Sequence, residues 1–162
     1  MSYEPGAGNE NRRLIFDLAL ERVQAIEAAS DVVDRKAETL LAFLAVVIAI
    51  ALQAPQPARH WSLDLACFYS AFVSFFASVV FLVLSIAARI RRFDPSVKGL
   101  FHKYWSAEYE STLQQVTSNL AESWEKNVGV HAAKVKWYQR ALLPSVLGLF
   151  LLAVDVLVLR WI

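Results

Sequence analysis

From Leu65 to Ala88 the chain runs for twenty-four residues without a charged side chain. A soluble helix of that length needs a solvated face, and this segment has no charge to build one. A bilayer core is crossed by roughly 20 apolar helical residues. The segment therefore predicts a membrane span. Two further blocks share its character. Thr39 to Ala58 is free of charge, although its dense apolar core ends at Leu52 and is followed by Gln53, Pro55, Gln56 and Pro57. Ala141 to Leu159 is broken only by Asp155. The first block is short and crosses if the helix starts near Ala37 and the bilayer thins or flanking side chains snorkel.

Composition agrees. Hydrophobic residues are 57% of 162, above the ~45–50% of ordinary domains. So small a soluble domain has too little interior to hide this much apolar area. Disorder is excluded by the same figure together with a net charge of +1. A single cysteine, Cys67, excludes a disulfide scaffold and a cysteine-based zinc site. The first 38 residues hold no early apolar run, so no secretory signal is evident and the first block is expected to remain in the mature protein.

Basic residues set the expected topology. Five Lys/Arg precede the first block and nine lie between Arg89 and Arg140, against Arg59 and Arg160 elsewhere, a ratio of 14 to 2. The positive-inside rule then places the N-terminus and the 89–140 segment in the cytoplasm and the C-terminus outside. Trp61 and Trp161 fall at the expected outer boundary, and Trp137 and Tyr138 at the inner one.

The cytoplasmic part reads as helical. Residues 1–10 form a tail. No Gly or Pro occurs from Asn11 to Ala54, and Leu14, Leu18, Ala25, Ala29 and Val32 fall on one stripe at helical spacing. One long helix is predicted from about Asn11 to Leu52, cytosolic over 11–38 and continuous with a first span over 39–58. An outer loop at 59–64 and a second span at 65–88 follow. Asp94-Pro95 and Ser106-Ala107-Glu108 look like helix starts. Tyr109, Leu113, Val116, Leu120 and Trp124 make a second stripe, with a kink or break expected at Gly129 and the helix resuming from Ala132 toward a third span at 141–160. The expected fold class is thus an all-α membrane protein: three transmembrane helices with a cytosolic helical bundle formed by the N-terminal helix and a 106–140 helix. Residues 1–38 sum to −3 and residues 89–140 to +4, which favours packing the two stripes together within one chain or across an oligomer.

Catalytic constellations are missing from the sequence. His60, His102 and His131 lack metal-ligand spacing, no nucleophile elbow, Walker loop or dinucleotide fingerprint occurs, and no cofactor or metal is expected. Cys67 sits in an apolar span, where a thiol behaves as a small hydrophobe. The chain reads as a non-enzyme. The informative pattern lies in the second block. Ser70, Ser74 and Ser78 recur every four residues and Ser85 returns to that face one heptad later. Such a small, hydroxylated face either packs closely on other helices or lines a water-filled pore in an oligomer. Pro144 and Gly148 mark a kink that neighbouring helices would support. Asp155 is an intramembrane acid and so a functional candidate. Arg89, Arg91, Arg92, Lys134, Lys136 and Arg140 form a candidate cytosolic basic patch, attractive to phosphate without specificity.

The run from Ala29 to Leu41 leads straight into the first span. Its Asp34, Lys36, Ala37, Leu40 and Leu41 resemble the Asp-x-Lys-Ala-x-x-Leu-Leu start of the first transmembrane helix in Pycsar-type membrane effectors. The wider layout is similar too: two spans, a short outer loop, basic residues, then a cytosolic helix. It also resembles the SLATT group of two-span effectors found beside nucleotidyltransferases, but a third span suits the Pycsar-type pattern better. The resemblance implies an antiphage effector. A companion cyclase or nucleotidyltransferase would make a nucleotide or oligonucleotide signal. The membrane protein would then homo-oligomerise, as a tetramer or larger, and open a channel or disrupt the bilayer, causing growth arrest or death. No separate nucleotide-binding domain is recognisable. The alternative is a non-conducting scaffold or accessory subunit that docks a cytosolic partner through its amphipathic helices.

Overall fold

The computed structural model describes residues 7–53, 62–88 and 108–156. Three helices hold almost all of them: α1 Ala7–Gln53, α2 Ser62–Ala87 and α3 Tyr109–Val154. The described residues contain no strand. Each helix carries a window long and apolar enough to cross a membrane. At about 1.5 Å per residue, α1 and α3 are each roughly 70 Å long, more than twice a bilayer's ~30 Å core. The chain is an all-α membrane protein. Expectations at Trp61, Asp94-Pro95, Ser106, Arg160 and Trp161 lie outside the described residues.

Two compact units divide the helices. In the first, residues 7–31 of α1 lie against 109–131 of α3. Arg12 pairs with Glu110, Arg13 Nε donates to the Tyr109 hydroxyl at 3.2 Å, and Ser30 meets His131 at 2.8 Å. Low numbers meet low and high meet high, so the two helices run parallel. The Tyr109 hydrogen bond also raises the Arg13 guanidinium above its ordinary pKa. Val23 and Ser30 on one helix, and Leu120 and Asn127 on the other, are buried at intervals of seven. A seven-residue repeat is the seam of a left-handed coiled coil. The stripe Leu14, Leu18, Ala25, Ala29 and Val32 is not this seam. All five residues are exposed, Leu14 at 66% and Leu18 at 49%. Periodicity located an apolar face of α1 correctly, but within the chain α3 takes a different one, built on Phe16, Leu20, Val23, Ile26 and Ser30.

The second unit holds residues 32–53 of α1, all of α2 and 132–154 of α3. Its contacts form a ladder of opposite sense. Ser85 donates to the Lys134 carbonyl at 3.0 Å, Ser78 Oγ lies 2.9 Å from the Ala141 carbonyl oxygen, and Phe75 and Ala71 crowd Gly148. α2 is therefore antiparallel to α3. Leu44, Phe75 and Leu82, all at 0% exposure, fill the centre with Ala37, Ala71 and Ala141. Lipid is as apolar as leucine, so close packing and interhelical hydrogen bonds must hold these helices together. The outside of this unit carries exposed large apolar side chains, among them Phe43, Ile50, Val73, Phe76, Leu143 and Phe150. An apolar exterior around a packed core is what a lipid solvent requires.

α3 does not break at Gly129. It continues through Gly129 and through Pro144 to Val154. Proline at 144 cannot bond the Arg140 carbonyl and pushes on the preceding turn. The neighbouring Ala141 carbonyl lies 2.9 Å from Ser78 Oγ and 2.8 Å from Ser145 Oγ, and these two hydroxyls are hydrogen-bonded to each other, so one of them donates to the carbonyl and the other to its partner hydroxyl. Side-chain hydroxyls of this kind compensate a weakened backbone inside a membrane bundle. At Gly129 a Cβ would meet nothing within 4 Å. Gly129→Ala is therefore expected to stabilise the protein by about 0.5–1 kcal/mol through helix propensity. Thermal unfolding in detergent measures this, and a lower midpoint would contradict the open surroundings.

Candidate functional site at the polar layer of the three-helix unit

The residues of the Asp-x-Lys-Ala run occupy successive positions of α1 and have different surroundings. Ala37 is fully buried in the core, where a larger side chain would push the helices apart. Asp34 turns inward. Its Oδ2 accepts from Lys134 Nζ at 2.6 Å, the two side chains being 27% and 4% exposed. Its Oδ1 is buried without a hydrogen-bond partner among the described residues. Lys36 is exposed and borders an open groove with Arg35, Thr39, Leu40, Phe43 and Tyr138. Cationic groups above an apolar floor are suited to the headgroup level of a membrane.

The Lys134 main chain is held as well, because its carbonyl accepts from Ser85 Oγ. Three helices therefore meet at one polar layer: Asp34 from α1, Ser85 from α2 and Lys134 from α3. Close by on α3, Trp137 stacks on Phe81 with ring centres 5.9 Å apart, and the Arg140 guanidinium lies 4.9 Å from the Trp137 ring centre. A buried ion pair adds little stability by itself, because desolvation offsets most of the attraction. Its value is specificity: breaking it strands a charge, so it resists any rearrangement that separates α1 from α3 at this level.

The basic patch takes a different form from the expected one. Lys134 is not a surface cation, being sequestered against Asp34. Lys136 and Arg140 are exposed, and Arg89, Arg91 and Arg92 lie outside the described residues. The four serines divide. Ser78 and Ser85 are fully buried and bonded to α3, Ser74 is half-buried and Ser70 is exposed. Asp155, just past the end of α3, is fully buried and continues the seven-residue progression in number of the buried residues Leu120, Asn127, Lys134, Ala141 and Gly148. That progression was readable in the sequence and would have pointed to Lys134 as an inward residue. Ser145 was missed, and its signal was its place beside Pro144. Among the described residues no group of three or more His, Cys, Asp or Glu side chains is placed to hold a metal ion.

The family model for PycTM, the Pycsar effector protein domain, matches residues 18–160. No curated protein and no solved structure matches the chain.

Proposed function

Because the chain belongs to the Pycsar effector protein domain family, and is thus a membrane effector of antiphage defence, we propose that it permeabilises the bacterial inner membrane as a homo-oligomer under control of a cyclic nucleotide made by a companion cyclase. The orientation in this reading has the N-terminus and the 89–140 segment in the cytoplasm and the C-terminus outside, on the 14-to-2 distribution of basic residues. The chain acts without catalysis: the work is done by helices moving in a bilayer.

One observation carries the reading. The centre of the three-helix unit is filled by Leu44, Phe75 and Leu82, so ions would have to pass between copies rather than through one. Two of α2's hydroxyls, Ser78 and Ser85, are used inside the chain, while Ser70 and Ser74 lie toward its surface as a polar edge for neighbouring copies. The signal favours the conducting assembly to the extent that it binds that assembly more tightly than the single chain.

Dye-loaded liposomes containing the purified protein are expected to leak when the activating cyclic nucleotide is added. Ser74→Leu is expected to reduce the single-channel conductance or abolish it. Liposomes that stay sealed under every cyclic nucleotide tried would remove the channel reading and favour the scaffold. Unchanged conductance in Ser74→Leu would make this edge a packing surface.

A further inference from the structure

The outer side of α1 in the first unit is not covered by the other described residues. Val23 and Ser30 face α3. Leu18 and Ala25 lie two positions further on in that repeat, about 200° around a helix of 3.6 residues per turn. There Leu14, Ile15 and Leu18 are exposed at 66%, 55% and 49%, and Ala25, Ala28 and Ala29 are exposed too. Leu18 and Ala25 are seven residues apart, with Leu14 and Ala28 at the d positions of that repeat and Ile15 and Ala29 at the flanking e positions. α1 thus carries a second coiled-coil seam on its back.

Resting on the homo-oligomeric reading above, we propose that this seam pairs with the same seam of a second copy, as a parallel two-stranded coiled coil. The orientation follows from the membrane. α1 continues unbroken into the uncharged segment from Thr39 to Gln53, so copies in one bilayer present α1 with the same polarity. The charges agree with it. With Leu18 and Ala25 at the a positions, Glu10 and Asp17 occupy g, and Arg22 occupies e. In a parallel pair, g of one helix faces the e that follows it by five residues on the other. Asp17 of each copy then meets Arg22 of its partner, twice by the two-fold axis. An antiparallel pair would instead bring the acidic g positions together.

Size and shape fit as well. Alanines at 25, 28 and 29 allow the backbones a close approach. A groove of about 280 Å³ beside the seam, lined by Ile15, Leu18, Ala19, Arg22, Ala121 and Trp124, receives the partner's leucines. Glu21 falls at a d position and interrupts the seam. A charged core position weakens a coiled coil, so the pairing is reversible, as a controlled assembly needs.

The test uses the full chain in isolated membranes with Cys67→Ser. Oxidation is expected to link Leu18→Cys into a disulfide dimer and to leave Ser118→Cys, an exposed position of α3, monomeric. Asp17→Arg or Arg22→Glu alone is expected to lower the dimer fraction about tenfold, and the two together to restore it. Glu21→Leu is expected to raise it several-fold. Monomer throughout, equal linkage at Ser118→Cys, or no rescue by the charge swap would overturn the pairing. Leakage read on the same preparations separates the two ideas: leak without linkage at Leu18→Cys removes this surface alone. Linkage with no leak upholds the surface and removes the channel reading.

Discussion

Asp34→Leu is expected to lower the stability of the detergent-solubilised protein by about 3–5 kcal/mol, the usual result of stripping one partner from a buried ion pair. The direction follows from the exposures. Lys134, at 4%, cannot reach water without moving α3, so its ammonium would be left without its carboxylate. Lys134→Met is expected to cost less, because the orphaned Asp34 is the more exposed partner, at 27% against 4%. The double variant Asp34→Leu/Lys134→Met is expected to recover most of the loss, since an apolar pair of similar volume often replaces a buried ion pair without penalty. Thermal unfolding of the four proteins completes the cycle. Equal and additive losses would mean the two side chains do not depend on each other. In the proposed mechanism the pair has a second use. Holding α1 and α3 together at the polar layer, it sets the arrangement that a signal has to disturb. The double variant is then stable yet altered in the nucleotide dependence of leakage, a separation that a purely structural pair would not give.

Gly148→Ala is expected to destabilise by about 1–3 kcal/mol despite replacing glycine with the best helix former. Two effects compete. Helix propensity favours alanine by about 1 kcal/mol. Against it, the new Cβ would lie 2.6 Å from Phe75 Cε1, 2.7 Å from Phe75 Cδ1 and 3.2 Å from the Ala71 carbonyl oxygen. Phe75 is wholly buried and the carbonyl belongs to the α2 backbone, so neither yields without moving a helix. Gly148→Leu is expected to prevent α2 from docking on α3. Gly148→Ala with Phe75→Leu is expected to regain part of the loss, because the ring edge that clashes is gone. A rise in unfolding temperature for Gly148→Ala alone would show that the helices have room to spare. The contrast with Gly129, where the same substitution is expected to stabilise, isolates the contact: both glycines lie inside α3 and only one touches α2.

Much of the architecture was legible because lipid solvation is a strong constraint. The uncharged run in α2 and the blocks that end α1 and begin the last stretch of α3 admit little but membrane helices. The first-half stripe of α1 shows where that legibility stops. Leu14, Leu18, Ala25, Ala29 and Val32 are correctly apolar and correctly spaced, but spacing does not say which partner covers a face, and α3 uses the other side. Lys134 failed as a patch residue for a related reason. Net charge counts a lysine wherever it points, while its position in the series Leu120, Asn127, Lys134, Ala141 gives its direction. Gly129 misled because glycine weakens a helix by only about 1 kcal/mol. Packing along the rest of α3 outweighs that. The serine face was seen as one unit, but α3 covers only its Ser78 and Ser85 end.

The sevenfold register of the buried residues makes helix length a quantised variable. One residue added to α3 between Lys134 and Ala141 would turn everything after it by about 100°. Gly148 would leave the α2 contact and a bulky neighbour would take its place. Seven residues added there would turn it by only ~20°. A chain built this way can lengthen the paired α1 and α3 segments of the first unit by whole heptads, matched in both helices, and keep their register. It cannot lengthen them by any other small number. The length of the paired helices is therefore adjustable in steps of roughly 10 Å.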